Sequence, residues 1–121
     1  MALRIDTLSI DARDPAALAT FWSTALGWNQ RLDEDGDFWV EPDRAHADFG
    51  RVRPLLFLAV PEEKATKNRL HLDLMPDDQE VEVERLVAMG ATRRDVGQSS
   101  NDTWVVLADP EGNEFCVLSS E

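Results

Sequence analysis

The chain has 121 residues, 43% of them apolar, enough to bury a core without disulfide or metal staples. It carries 24 acidic against 12 basic side chains, a formal charge of -12. That balance disfavours duplex binding, which needs clustered Lys and Arg, and attraction to an anionic bilayer. The longest wholly apolar run, Leu55 to Val60, is one strand long and far short of the ~20 residues a membrane span requires.

In chain order, the alternation of Leu8-Ser9-Ile10-Asp11 predicts a first strand with one buried face. Asp14-Pro15 then opens a helix: the Asp carboxylate accepts from free first-turn amides, and Pro loses nothing at the first helical position. Leu18, Phe21, Trp22, Ala25 and Leu26 form one apolar stripe, and Gly27 supplies a left-handed C-cap. Shorter strands follow at Trp28 to Leu32, Phe38 to Glu41 and Leu55 to Val60, broken by Asp35-Gly36 and the Pro42 to Gly50 loop. The polar, proline-broken stretch over about 61–67 is a joint.

The second half repeats this order. Leu70-His71-Leu72-Asp73 predicts a strand, Asp77-Asp78 a cap, and Val83, Leu86 and Val87 the helical stripe before Met89-Gly90. Acidic residues crowd the start of this helix, where the macrodipole favours negative charge. Strands are expected at Thr92 to Val96, Thr103 to Ala108 and Asn113 to Ser119, the last two joined by an Asp109-Pro110-Glu111-Gly112 hairpin turn. The sequence thus predicts an α+β protein of two tandem βαβββ modules, about 1–60 and 68–121, each with a helix-backed sheet whose second face needs cover.

Two paired βαβββ modules enclosing a cleft in a curved, open-barrel mixed sheet are the architecture of the glyoxalase I, bleomycin resistance and extradiol dioxygenase superfamily, also called vicinal oxygen chelate. The chain resembles that superfamily over nearly its whole length. Asp14-Pro15-Ala16-Ala17-Leu18-Ala19-Thr20-Phe21-Trp22 with Leu26-Gly27-Trp28 resembles its first helix, and Trp104 through Phe115 its closing hairpin. Asn68-Arg69-Leu70-His71-Leu72-Asp73 further resembles the small glyoxalase-like proteins.

Enzymes of the superfamily hold a divalent metal with His or Glu from matching strands of the two modules. The resemblance places those positions at Thr7 or Ser9, near Phe57, at His71 and at Cys116. Of these only His71 is a conventional ligand; a His71 and Cys116 pair suits soft zinc weakly, with Thr7 or Ser9 a poor third ligand, so no metal and no other cofactor is expected. His46 and Asp48 in the long loop are available for recruitment, or are solvated. His71 reads either as a histidine hydrogen-bonded within the sheet or as a cleft-wall acid or base, with Asp73 on the same strand face to orient it. Trp22 reads as packing. Trp39 and Trp104 are expected at corresponding places of the two modules, bordering the cleft or filling its floor. Lys64, Lys67, Asn68 and Arg69 form a local basic cluster, either solvated or gripping an anion or a partner.

Three function classes follow. The preferred one is metal-independent binding, of the resistance or sequestration type, of a small aromatic or cationic compound contacted by Trp39, Phe57, His71, Trp104 and Cys116. The second is a lyase, isomerase or dioxygenase-like enzyme with His71 as its catalytic group, with or without a recruited metal. The third is a protein-interaction module. Conventional metal-dependent glyoxalase or dioxygenase activity is not expected, and the resemblance implies a homodimer. The first residues lack a secretory signal pattern, and the lone Cys116 cannot form an internal disulfide, so a cytoplasmic location is expected.

Overall fold

The computed structural model describes residues 2–94 and 103–120. The chain divides into two compact units, Met1–Glu63 and Lys64–Glu121. The first contains β1 (Leu8–Ala12), α1 (Pro15–Leu26), β2 (Asn29–Leu32), β3 (Phe38–Glu41) and β4 (Leu55–Ala59). The second contains β5 (Asp73–Leu74), α2 (Gln79–Ala88), β6 (Thr92–Arg93), β7 (Val105–Ala108) and β8 (Glu114–Val117). The strand orders are β1-β4-β3-β2 and β5-β8-β7-β6, and in each sheet the first and last strands of the module pair in parallel while the other pairs are antiparallel. The protein is therefore α+β, with the same βαβββ topology twice. Among the described residues no helix is long and apolar enough to cross a membrane.

Both helices start where the carboxylates predicted. Asp14 accepts from the Ala17 N–H at 3.1 Å and Asp78 from the Val81 N–H at 3.2 Å. Gly27 ends α1 with φ 69, a left-handed conformation that L side chains resist. Leu18, Ala19, Phe21 and Trp22 are the buried residues of α1, and Ala25 and Leu26 are half-buried. In α2 only Val83 and Leu86 are buried; Val87, expected on the stripe, is exposed. A ten-residue helix has room for a narrow seam, and Val87 lies at its flank.

The strand expected at Leu70 to Asp73 is shorter and later than the alternation suggests. Pairing starts where the Cys116 N–H donates to the Leu72 carbonyl, and Leu70 is 81% exposed. The segment before it is held by side chains instead of a ladder. The Asn68 N–H donates to Glu114 Oε1 at 3.0 Å, the Asn68 amide donates to Asn113 Oδ1 at 3.2 Å, and Lys64 Nζ lies 3.0 Å from Glu114 Oε2. In β6 the expected continuation to Val96 lies outside the described residues, and β7 starts at Val105, two residues after the expected Thr103.

Two aspartates build the hairpin turns. Asp109, almost fully buried, accepts the N–H groups of Glu111 and Asn113 and the Asn113 side-chain amide. Asp33 accepts from the N–H groups of Asp35 and Asp37 and, at 2.8 Å, from the Trp39 indole. The bonds from Asp37 and from Trp39 hold the Asp33 carboxyl below its ordinary range.

Candidate functional site

Alternation along β8 sorts its side chains onto two faces. Phe115 and Val117 are buried on the face where α2 packs. Glu114 and Cys116 point the other way, as does Leu118 beyond the strand end. Register adds Val106 opposite Cys116 on β7 and Asp73 opposite Cys116 on β5. His71, two residues before Asp73, shares its side. These residues line a pocket of about 340 Å³, with Lys67 and Trp104 completing its wall.

The polar end of this pocket is compact. His71 Nε2 lies 3.3 Å from Asp73 Oδ1. One ligand atom each from His71, Asp73 and Cys116 fall within 4.8 Å of one another, the one such group of three among the described residues. Burial, then the negative charge of Asp73 and a hydrogen bond to it, push the Cys116 thiol above its ordinary pKa, with Lys67 pulling the other way. Cys116 is therefore a protonated thiol near neutral pH and no activated nucleophile.

Glu114 at the other end is nearly buried and fully engaged. Burial raises its pKa, but the Asn68 N–H and the Lys64 ammonium more than offset that, and the carboxyl sits below its ordinary value. Lys64 is thus consumed in an internal pair, while Lys67 of the same basic cluster faces the pocket.

Of the five residues expected to bind a ligand, His71, Trp104 and Cys116 line this one pocket. The other two lie in the first unit and on opposite faces of its sheet. Phe57 pairs with Phe38 and Ile10, is 0% exposed, and shares its face with the buried Val40 and Leu55, where α1 packs on β3 and β4. Trp39 pairs with Leu56, one step out of phase. Its indole N–H is bonded to Asp33, and the Arg31 guanidinium lies 5.2 Å from its ring centroid, a cation–π contact made by the protein itself.

Register sets Trp39 opposite Leu56, on the face of the first sheet away from α1, and sets Val106, two residues after Trp104, opposite Cys116 on the face of the second sheet away from α2. With the capping residues Asp14 and Asp78 taken as equivalent, Ser9 matches Asp73, Leu56 matches Cys116 and Trp39 matches Val106, so Trp39 and Trp104 share a face but are offset by two residues. Of the residues that sequence reasoning missed, Glu114 and Leu118 carried a usable signal: they alternate with Cys116. In the long loop, His46 Nδ1 accepts the Asp48 N–H at 3.0 Å and Asp48 Oδ2 accepts the Trp28 indole N–H at 3.2 Å, so both residues brace that loop.

The superfamily's usual oxygen- and nitrogen-bound divalent metal does not fit these side chains. Thr7 donates its hydroxyl to Asp6 at 2.7 Å, Ser9 offers only a neutral hydroxyl, Phe57 is carbon buried under a helix, and Cys116 replaces a carboxylate with a thiol.

Tandem βαβββ modules, each with a parallel pair joining its first and last strands, define the vicinal oxygen chelate class. The chain matches the family model of the glyoxalase-like domain over residues 7–118 and belongs to that family. Comparison with curated proteins by sequence gave no match. Solved structures share the fold. A glyoxalase/bleomycin resistance protein/dioxygenase family enzyme from Burkholderia phytofirmans PsJN is 20% identical, with a TM-score of 0.70 over 97% of this chain and 100% of that one. The fosfomycin resistance protein FosX from Mesorhizobium loti is 12% identical, with a TM-score of 0.72 over 100% and 94%. TnmS3, an antibiotic binding protein from Streptomyces sp. CB03234, is 19% identical, with a TM-score of 0.65 over 100% and 99%.

Proposed function

We propose that this glyoxalase-like protein binds a small aromatic or cationic compound, in the manner of a resistance or sequestration protein, without needing the superfamily's usual metal. The observation that carries this reading is Trp104, 39% exposed, on the wall of a pocket that also holds Asp73. A large indole left partly open beside a carboxylate suits a flat ring bearing positive charge. The pocket volume of about 340 Å³ sits at the small end of the range for ligand sites. A net charge of -12 draws cations toward the protein. The protonated Cys116 supplies no nucleophile, which favours binding over covalent chemistry. Two proteins of the same fold, the antibiotic binding protein and the fosfomycin resistance protein, lend the reading support by their names.

A planar aromatic cation such as an acridinium dye is the probe. Titration is expected to quench tryptophan fluorescence with micromolar affinity, since burial gives roughly 25 cal/mol per Å² of apolar area. His71→Ala is expected to weaken binding by about 1–3 kcal/mol, the range for loss of one buried hydrogen bond. Unchanged affinity in both Trp104→Ala and His71→Ala sinks the assignment to this pocket.

We also propose that the protein pairs with a second copy. β1 is an edge of its sheet, and Leu3, Ile5 and Leu8 beside or on it are exposed. An edge of that kind gains burial by association. Light scattering at micromolar concentration is expected to give twice the chain mass; a monomer mass rejects the pairing.

A further inference from the structure

The basic cluster at the joint divides once its partners are in place. Lys64 Nζ pairs with Glu114 at 3.0 Å, Asn68 bonds Glu114 and Asn113, and Arg69 is exposed and takes no part in the pocket wall. Lys67 alone of the four lines the pocket. We propose that Lys67 sets the charge of the compound this pocket selects: a dipolar ligand, with a flat, positively charged ring against Trp104 and a carboxylate or similar anionic group against the Lys67 ammonium. The inference rests on the reading of the pocket as a ligand site and names the class of ligand it takes.

Three observations carry it. The first is the pairing of charges in the wall. Both carboxylates there already have partners: Asp73 has His71 Nε2 at 3.3 Å and a hydrogen bond from the Cys116 thiol, and Glu114 has Lys64 and the Asn68 N–H. Lys67 forms no ion pair among the described residues, so the charge left over in the wall is a cation. In a chain with 24 acidic against 12 basic side chains, an ammonium without a counter-ion is the less expected outcome. The second is position. Lys67 lies near enough to Cys116 to pull its thiol pKa down against the effect of Asp73, so the ammonium is felt at the polar end of the pocket and not only in solvent. The third is the surroundings. Val106, Leu118 and the Trp104 ring make the neighbouring wall apolar, and a pair formed with Lys67 beside them is screened less than one in open water.

The charge of the whole chain favours the same class. At -12 the protein repels an anion, whereas a dipolar compound is neutral overall and approaches without that cost. Once bound, its ring charge meets the Trp104 face and its carboxylate meets Lys67. A purely cationic ring gains the first contact and is opposed by Lys67.

The probes are 9-aminoacridine, a planar cation, and its 2- and 3-carboxylates, which add the anionic group to the same ring. Tryptophan quenching in the full chain is expected to show a carboxylate bound roughly three- to ten-fold more tightly than the parent dye, the worth of a partly sheltered ion pair. Added salt narrows that margin. In Lys67→Met the margin is expected to vanish, and in Lys67→Glu to invert, with the parent dye bound more tightly than by the native protein. Arg69→Met makes the same change of net charge as Lys67→Met but outside the pocket, and is expected to leave the margin intact. Both substituted side chains are exposed, and circular dichroism is expected to stay native in all three variants. If the parent dye binds and neither carboxylate binds more tightly, the inference falls and the binding reading stands. A margin that survives Lys67→Met, or that Arg69→Met erases equally, also overturns it, since the pairing group is then not Lys67. Failure of all three dyes to bind removes the binding reading and the inference with it.

Discussion

Phe57→Ala is expected to cost about 3–5 kcal/mol of stability, the range for truncating a buried aromatic ring. Domains of this size are held by about 5–15 kcal/mol in total, so the variant loses a large share of what it has. The ring has no exposed surface and lies on the face of the first sheet that α1 covers, with Val40 and Leu55 beside it. Removing it leaves a cavity that close-packed neighbours fill only in part. Leu58→Ala, one residue along on the opposite and half-buried face, is expected to cost clearly less. Urea denaturation of both variants provides the measurement. If Phe57→Ala is too unstable to purify, Phe57→Leu serves, with an expected loss of about 1–1.5 kcal/mol. A cost below about 1 kcal/mol for Phe57→Ala, together with lost ligand affinity, shows instead that the ring faces a ligand.

Glu114→Gln is expected to lower stability by about 2–3 kcal/mol at neutral pH, since it weakens charge-assisted hydrogen bonds at a nearly buried site. The glutamine keeps the shape but leaves the Lys64 ammonium without its counter-charge. The pH dependence has a definite sign. The Glu114 carboxyl is held below its ordinary value in the folded protein. Its contribution is therefore complete above the unfolded carboxylate's pKa of about 4.3 and is lost as pH falls through the folded value. The gap between native protein and variant should be constant at and above about pH 6, where an unfolded carboxylate is ionised, and narrow in acid. A gap that is the same at pH 3 and pH 7 contradicts the assignment. Other carboxylates held low, Asp33 among them, affect both proteins alike and cancel in the difference.

These two residues also mark how far the sequence could be read. The helices were legible because their signals are local: a capping carboxylate, a proline, an apolar stripe and a glycine all act within a few residues of one another. The repeat was legible for the same reason, and with it the βαβββ order and the family. The facing of single strand residues was harder. In an extended chain a slip of one residue reverses every side chain, and the run from Leu55 to Val60 is apolar on both faces, so nothing in it marks which side is inward. Pairing puts Phe57 on the face that α1 covers, whereas Cys116 lies on the face of its sheet away from α2. His71 was visible as an unusual residue in a predicted strand, although the strand itself begins at Asp73. The meeting of Asp73 with Cys116 was not, because strands distant in sequence share a register that only the fold supplies. The Lys64–Glu114 tie escaped for a similar reason: a basic cluster on a joint reads as solvated charge until its partner strand is placed beside it.

The parallel pairing within each module bears on the order in which the molecule assembles. Hairpins β2–β3 and β7–β8 close short loops, each primed by an aspartate that gathers the amides of its turn. The pairs β1–β4 and β5–β8 close loops that span most of a module, and the entropy of such closure is met only after nearer contacts exist. The strand bearing Asp73, with His71 just ahead of it, is thus among the last pieces to dock. It is also a two-residue edge strand held on one side only. The pocket's polar end is then expected to open from the native state more readily than the central strands of its sheet, before global unfolding. A ligand engaging His71 and Asp73 is expected to slow amide exchange in β5, at Leu74, more than anywhere in the core, because it fastens the strand that the chain itself secures last.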